Sequence, residues 1–399
     1  MSETAACDRL AGPLHGSLLD RLRPRSIVVL RTGRLGDLLV ASPALRALRR
    51  AAPNARITLL IDRVSLPVAE RLDSVDEAVV VPPLPGLHWE GLPFAAAAEA
   101  DAFFAAMRAR HFDLALQLKG AGDTTNAFVL RLGARVTAGQ RGEQAPALDL
   151  DMPYLPLQPE VLRLLDVTRL IGAPETSPRL EIAERPEDLD EVRALPELDW
   201  AHLSRGRVIG LNAGARSGAR CWALERYRAV AACLLAETGD DIILLGGPRE
   251  RERAESLAAS LGHPRRLVNL AGRISVGGLS ALVARLRLLI TNDSFPGHLA
   301  AALDTPAVII FGNGHPAQWA PLCRVWQRPV VDYHAPCRLL GAACGCADDS
   351  SARCLESISV EAVLAQVRGL LDFGARLERI PSAVPALDPD PPAIDAALG

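Results

Sequence analysis

Short apolar runs alternate along this chain with longer stretches whose apolar positions recur at helical spacing. Ile27–Leu30 is a β-type run that feeds a glycine-bearing turn, Arg31 to Asp37. Leu38 to Arg50 then carries apolar residues at i, i+3 and i+4, the pattern of a helix. Further strands are expected at Ile57–Ile61, Ala78–Val81 and Asp113–Leu118, the last ending at Lys119-Gly120. A Pro/Gly-rich connection, Pro82 to Pro93, and a helix, Phe94 to Arg110, lie between them. Residues 174–206 have mixed charge and several prolines, and read as a connection. A second series follows: strand Arg207–Asn212 with a small-residue exit, helix Leu224–Glu237, strand Asp241–Leu245 ending in Gly246-Gly247-Pro248, and strands Leu288–Thr291 and Ala307–Phe311. This alternation predicts an α/β protein built from parallel βαβ units in two similar halves.

The organisation expected from this pattern has five parts. A flexible lead-in covers 1–25, a first domain 26–185, a linker 186–206, a second domain 207–375, and a disordered tail 376–399. The tail is set apart by composition, with five prolines among the twenty residues Ile380 to Gly399. A length of 399 residues favours two domains. A net charge of −3 argues against a nucleic-acid partner held by bulk charge. No apolar run approaches the roughly 18 residues of a membrane helix, and the first residues carry Glu3 and Asp8 rather than a secretory pattern. A cytoplasmic protein is therefore expected, in which the eight cysteines form no disulfide framework.

Chemistry is expected where strands end. Asp37 stands at the junction of turn and helix, where the helix field favours a carboxylate facing the crevice; it could equally serve only as a cap. The spacing Gly33-x-x-Gly36 is not the dinucleotide fingerprint. In the second half, the exit Asn212 to Trp222 combines Gly214 and other small residues with Arg216 and Arg220, suited to an anion. The exit Thr291 to Leu303 places Asp293, Ser294, Gly297 and His298 at a helix start, a ready diphosphate site. A third Gly-rich exit runs from Phe311 to Pro316. Each has a plainer reading: a surface loop for the first, a packed helix residue for His298.

In their order, these motifs resemble glycosyltransferase family 9, the heptosyltransferase family of lipopolysaccharide assembly, over residues 26–370. The resemblance rests on Arg31…Gly36-Asp37…Pro43, on Arg220-Cys221-Trp222-Ala223, on Leu244 to Glu250, on Leu270-Ala271-Gly272, and on Asn292 to Ala302. Arg220 stands where the family has Lys, Ala223 where it has Pro, and Phe295 where it has Gly. The resemblance implies a GT-B fold: two Rossmann-like domains, an acceptor domain then a donor domain, with parallel sheets facing a central cleft. It implies inverting transfer of a heptose-like sugar from a nucleoside diphosphate, an ADP-sugar being favoured, with no cofactor required. The acceptor would be a glycan, lipid-linked or protein-borne, met at the inner face of a membrane. Asp37 would be the general base. Gly214, Arg216, Arg220, Asp293, Ser294, Gly297 and His298 would serve the donor; Arg31, Arg34, Gly36 and Lys119 would stand on the acceptor side. A catalytically silent nucleotide-sugar-binding subunit and a nucleotide-sugar epimerase are the competing readings.

Four cysteines cluster at Cys337, Cys344, Cys346 and Cys354. In a reducing compartment they suggest a structural tetrathiolate site for zinc or iron. The alternatives are free thiols or a cytosolic disulfide, because no C-x₂₋₄-C pair is present.

Overall fold

The computed structural model describes residues 17–87, 93–175, 177–323, 325–335 and 353–377. Two six-stranded sheets, both entirely parallel, form the frame. The first contains β1 (Ser26–Leu30), β2 (Arg56–Ile61), β3 (Glu77–Val80), β4 (Leu114–Gln117), β5 (Val136–Arg141) and β6 (Leu150–Pro153), in spatial order β3-β2-β1-β4-β5-β6. The second contains β7 (Val208–Asn212), β8 (Asp241–Leu244), β9 (Leu267–Asn269), β10 (Leu288–Asn292), β11 (Ala307–Phe311) and β12 (Gln327–Val331). Its order, β12-β11-β10-β7-β8-β9, repeats the first when each is counted from its own first strand. This is the doubly wound arrangement. It leaves a crevice at the carboxyl ends of β1 and β4 in one half, and of β7 and β10 in the other.

Covering helices bury both faces of a parallel sheet, so its central strands read as continuous apolar runs. Ile27 to Leu30 and Leu288 to Ile290 are wholly buried, as expected from the pattern. The strands that the pattern did not reveal are weakly apolar or short. β5 carries Gly139 and Gln140, β6 and β9 have four and three residues, and β12 holds Pro329, which a sheet tolerates at its edge.

The expected helix from Leu38 to Arg50 is two helices, α1 (Leu35–Val40) and α2 (Ser42–Ala51). Pro43 has no N–H to continue the first ladder and sits in the opening turn of the second. The Ala41 N–H instead closes a tight 2.9 Å bond to the Leu38 carbonyl. Leu18–Leu22, within the expected lead-in, is a short helix capped by Ser17, with Leu19 buried.

Helix α3 (Glu160–Ile171) packs on α2 and completes the first half. The connection is itself structured: α4 (Pro186–Arg193) packs against α6 (Val276–Val283) of the second half. It also holds the first half, because buried Asp188 takes the Arg71 guanidinium in two bonds, one of 2.9 Å from Nε. Gly277 lies so close to the Asp188 carboxylate that a Cβ would collide with it. In the second half, α5 (Leu224–Glu237) and the final helix, α8 (Val360–Leu377), pack on each other. Trp222, fully buried, meets Tyr227 edge-on at 5.3 Å and donates its indole N–H to the Ile358 carbonyl at 3.0 Å. No helix among the described residues is long and apolar enough to cross a membrane.

Candidate active site

On the first half, the turn after β1 is built around Asp37. Gly33 adopts a φ of +142°, open to glycine, and a Cβ there would meet the Asp37 carboxylate at 2.9 Å. The Gly33 N–H donates to Asp62 Oδ2 at 2.7 Å, which fixes the turn from β2. Asp37 Oδ2 accepts the Arg34 N–H at 2.8 Å, so the carboxylate does cap its helix. It still keeps 24% of its side-chain surface exposed, so capping and chemistry are not exclusive.

Arg31 is only 2% exposed and lies beneath this turn, a support rather than an open acceptor contact. Its Nε donates to the Asp37 carbonyl at 2.9 Å, and Nη1 to the Leu118 carbonyl at 2.5 Å. Nη1 also pairs with Glu160 Oε1 at 3.0 Å, and Glu160 in turn pairs with buried Arg163. The Arg31 Nη2 finds no hydrogen-bond partner among the described residues and stands 4.0 Å from Asp37 Oδ1. Burial pushes the Arg31 guanidinium below its ordinary value, against the opposing fields of Asp37 and Tyr154. Lys119, at the end of β4, donates Nζ to Thr32 Oγ1 at 2.8 Å and to the Leu87 carbonyl. Burial lowers its ammonium as well; Asp62 and Asp37 oppose that and Arg31 adds to it.

On the second half, side-chain amides lace two strand exits together. Asn212 Nδ2 donates to the Gly214 carbonyl at 3.1 Å, Thr291 Oγ1 at 3.0 Å and Ser294 Oγ at 3.1 Å. Asn292 Nδ2 donates to the Ala213 and Gly214 carbonyls at 3.0 and 3.1 Å, and its Oδ1 accepts the Trp222 N–H at 3.0 Å. Gly214 is pressed against Glu250, whose Cγ would collide with any Cβ there. Arg220 reaches Asn313 Oδ1 at 3.2 Å and Asp293 Oδ2 at 3.7 Å. The Gly-rich third exit leaves room for this: a Cβ on Gly314 would strike the Asp293 carboxylate.

Helix α7 (Phe295–Ala302) begins at this point. The Ser294 hydroxyl donates to the Asn292 carbonyl at 3.1 Å and makes no capping bond to α7. Phe295, the bulky departure from the family pattern, packs partly buried against the main core.

The halves meet at these helices. α1 packs on α7, and a Cβ on Gly36 would come 3.0 Å from His298 Cδ2 and 3.8 Å from the Phe295 Cα. His298 is 9% exposed, with the Trp319 ring edge-on at 6.5 Å. Burial pushes its imidazole below the ordinary 6.5; Asp293 and Asp37 oppose that and Arg220 adds to it. His298 is thus packed at a seam where the fields of both halves reach it.

Every donor and acceptor residue read from the sequence therefore falls at one of four strand exits on the two crevices. The structure adds Asp62, Glu160, Asn212 and Asn292, and also Arg249, whose charge acts on Arg34. No local signal marks Glu160, which reaches Arg31 from a helix far along the chain. Arg249 lies inside the recognised Leu244–Glu250 motif, but as the variable position of that motif it carried no mark. Of the cysteine cluster, Cys337, Cys344 and Cys346 lie outside the described residues. Cys354 is 3% exposed within the second core. Among the described residues, no group of three or more His, Cys, Asp or Glu side chains is placed to hold a metal ion.

Two doubly wound sheets, one with a carboxylate at its crevice and the other with an anion-type loop, are the arrangement of the GT-B class. The model of glycosyltransferase family 9 (heptosyltransferase) matches residues 101–338, more than half of the chain. Lipopolysaccharide heptosyltransferase 3 of Escherichia coli is 26% identical over 312 residues, covering 75% of this chain and 86% of that protein. The solved E. coli ADP-heptose lipopolysaccharide heptosyltransferase II superposes with a TM-score of 0.67 at 22% identity, covering 88% of this chain and 99% of that one. A family 9 glycosyltransferase from Veillonella parvula gives 0.69 at 23% identity, with 88% and 97% covered. The chain belongs to glycosyltransferase family 9.

Proposed function

We propose that this chain transfers a heptose-like sugar from an ADP-sugar to a glycan of the lipopolysaccharide core, with inversion and with Asp37 as general base. The donor reading is supported by the solved E. coli relative, which is named for ADP-heptose. The acceptor reading is supported by the curated heptosyltransferase of lipopolysaccharide. One observation carries the mechanism: the Asp37 turn and the start of α7 are in contact through Gly36 and His298, so base and donor loop share one seam.

In the step, an acceptor hydroxyl attacks the anomeric carbon from the face opposite the nucleotide. Its proton passes to the Asp37 carboxylate. The bond from the anomeric carbon to the β-phosphate oxygen breaks, and the electron pair stays on the diphosphate. Arg220 and the backbone donors at the start of α7 meet that charge. Arg31, clamped by Glu160, holds the Asp37 backbone in place while the acceptor approaches. Lys119 stands on the acceptor side of the same turn.

Asp37→Asn tests this. The amide keeps the shape but cannot take the proton, so turnover should fall roughly 10²–10⁴-fold while ADP affinity stays near that of the native protein. Near-native turnover would remove Asp37 from the role.

A further inference from the structure

Arg34 belongs by sequence to the acceptor half, yet charges of the donor half reach it. Its main chain is occupied, the N–H being held by Asp37 Oδ2 at 2.8 Å. Its guanidinium Nε is buried and finds no hydrogen-bond partner among the described residues. The residue stands two positions before Gly36, which touches His298 and the Phe295 backbone across the seam. Burial pushes its guanidinium below the ordinary value; Arg216 adds most to that, Asp37 opposes it, and Arg249 and Arg220 add less. Arg216 and Arg220 follow β7; Arg249 follows β8.

The charges of three guanidiniums from two strand exits of the donor half thus reach Arg34 across the seam. Such like-charge convergence costs free energy in the unliganded protein. A polyanion between them relieves it, and the planar fork of Arg matches phosphate oxygens in pairs.

We propose that Arg34 is a ligand of the donor's diphosphate, supplied across the seam by the acceptor half. This rests on the nucleoside-diphosphate reading above and sharpens it. The guanidinium neutralises charge on the β-phosphate as the anomeric C–O bond breaks, while the backbone N–H of the same residue orients the carboxylate that receives the acceptor proton. One residue then links proton removal to leaving-group departure, and the phosphate site is complete only when the halves are together.

The test uses Arg34→Ala, Arg34→Lys and Arg249→Ala in the full-length protein. ADP and AMP binding are titrated at low salt, and kcat and both KM values are measured. Arg34→Ala should weaken ADP binding about 10- to 100-fold, the scale of a lost charge-assisted hydrogen bond. AMP binding should change much less, acceptor KM should hold, and kcat should fall. Arg34→Lys should recover part of the ADP affinity, which a purely structural role would not require. Arg249→Ala should weaken ADP in the same sense. Unchanged ADP affinity in Arg34→Ala, with a raised acceptor KM, would return Arg34 to the acceptor and overturn the proposal. A native protein that binds neither ADP nor any other nucleoside diphosphate would instead overturn the donor reading and the proposal with it.

Discussion

His298, read from the sequence as a donor-side residue, is buried at the seam between the halves. Its position in the Asn292–Ala302 motif marks it, but the imidazole is buried against Gly36 and held below its ordinary value by that burial. In this case the folded protein binds fewer protons than the unfolded chain between the folded value and about 6.5, so stability rises with pH across that window. Acidification below about pH 6.5 should therefore cost stability, by at most about 1.4 kcal/mol per pH unit for one proton, until the folded value is passed. His298→Gln removes the titrating group. Urea midpoints between pH 5 and 7 should fall less steeply in the variant than in the native protein; parallel slopes would show that His298 does not titrate on unfolding. The place of Asp37 at the junction of turn and helix was legible at this scale because a turn, a helix start and a carboxylate are adjacent in sequence. Glu160 was not, because its partner Arg31 is brought to it only by the fold.

At the scale of elements, strong apolar runs declared themselves and weak ones did not. β1, β2, β4, β7, β10 and β11 are mostly buried, and burial on both faces leaves an unbroken apolar signature. β6, β9 and β12 sit at or near sheet edges, where short length, polarity and proline are tolerated, so little in their sequence distinguishes them from loops. The connection was likewise read as a linker from its mixed charge and prolines. In the structure that charge fastens α4: Asp188 grips Arg71 of the first half, and Glu191 accepts the Ser275 N–H at 2.7 Å from the second. Asp188 is 1% exposed, so its removal strands a buried guanidinium. Asp188→Ala should lower unfolding free energy by about 3–5 kcal/mol, measured by denaturant titration. Pairing it with Arg71→Met should restore much of that loss; a double variant as weak as the single one would place the cost elsewhere.

Across the whole molecule, the fold class was open to reading because two series of alternating strands and helices are written along the chain. The registration of one half on the other was not, since Gly36 and His298 are far apart in sequence and neither codes for the other. Gly36 is where that registration can be disturbed. A Cβ there already falls within 3.0 Å of the His298 ring, and a branched side chain would need more room than the seam has. Gly36→Val should wedge the halves apart. Misplacement by about 1 Å can cost about 100-fold in rate, so turnover should fall on that order while each half keeps its own fold. Small-angle scattering should show a larger radius of gyration, and circular dichroism an unchanged helix content. Full activity with native dimensions would mean that the halves slide to accommodate the methyls.

The separation of the two sheets along the chain also has a bearing on biosynthesis. All six strands of the first sheet lie between Ser26 and Pro153, before any strand of the second begins at Val208. A ribosome adding about 5–20 residues per second leaves the first ladder complete about seven seconds or more before α7 emerges. For that interval the nascent chain carries a finished β1 turn, with its carboxylate formed, and an outer face of α1 that α7 has not yet arrived to cover. The carboxylate is in place before the second crevice exists.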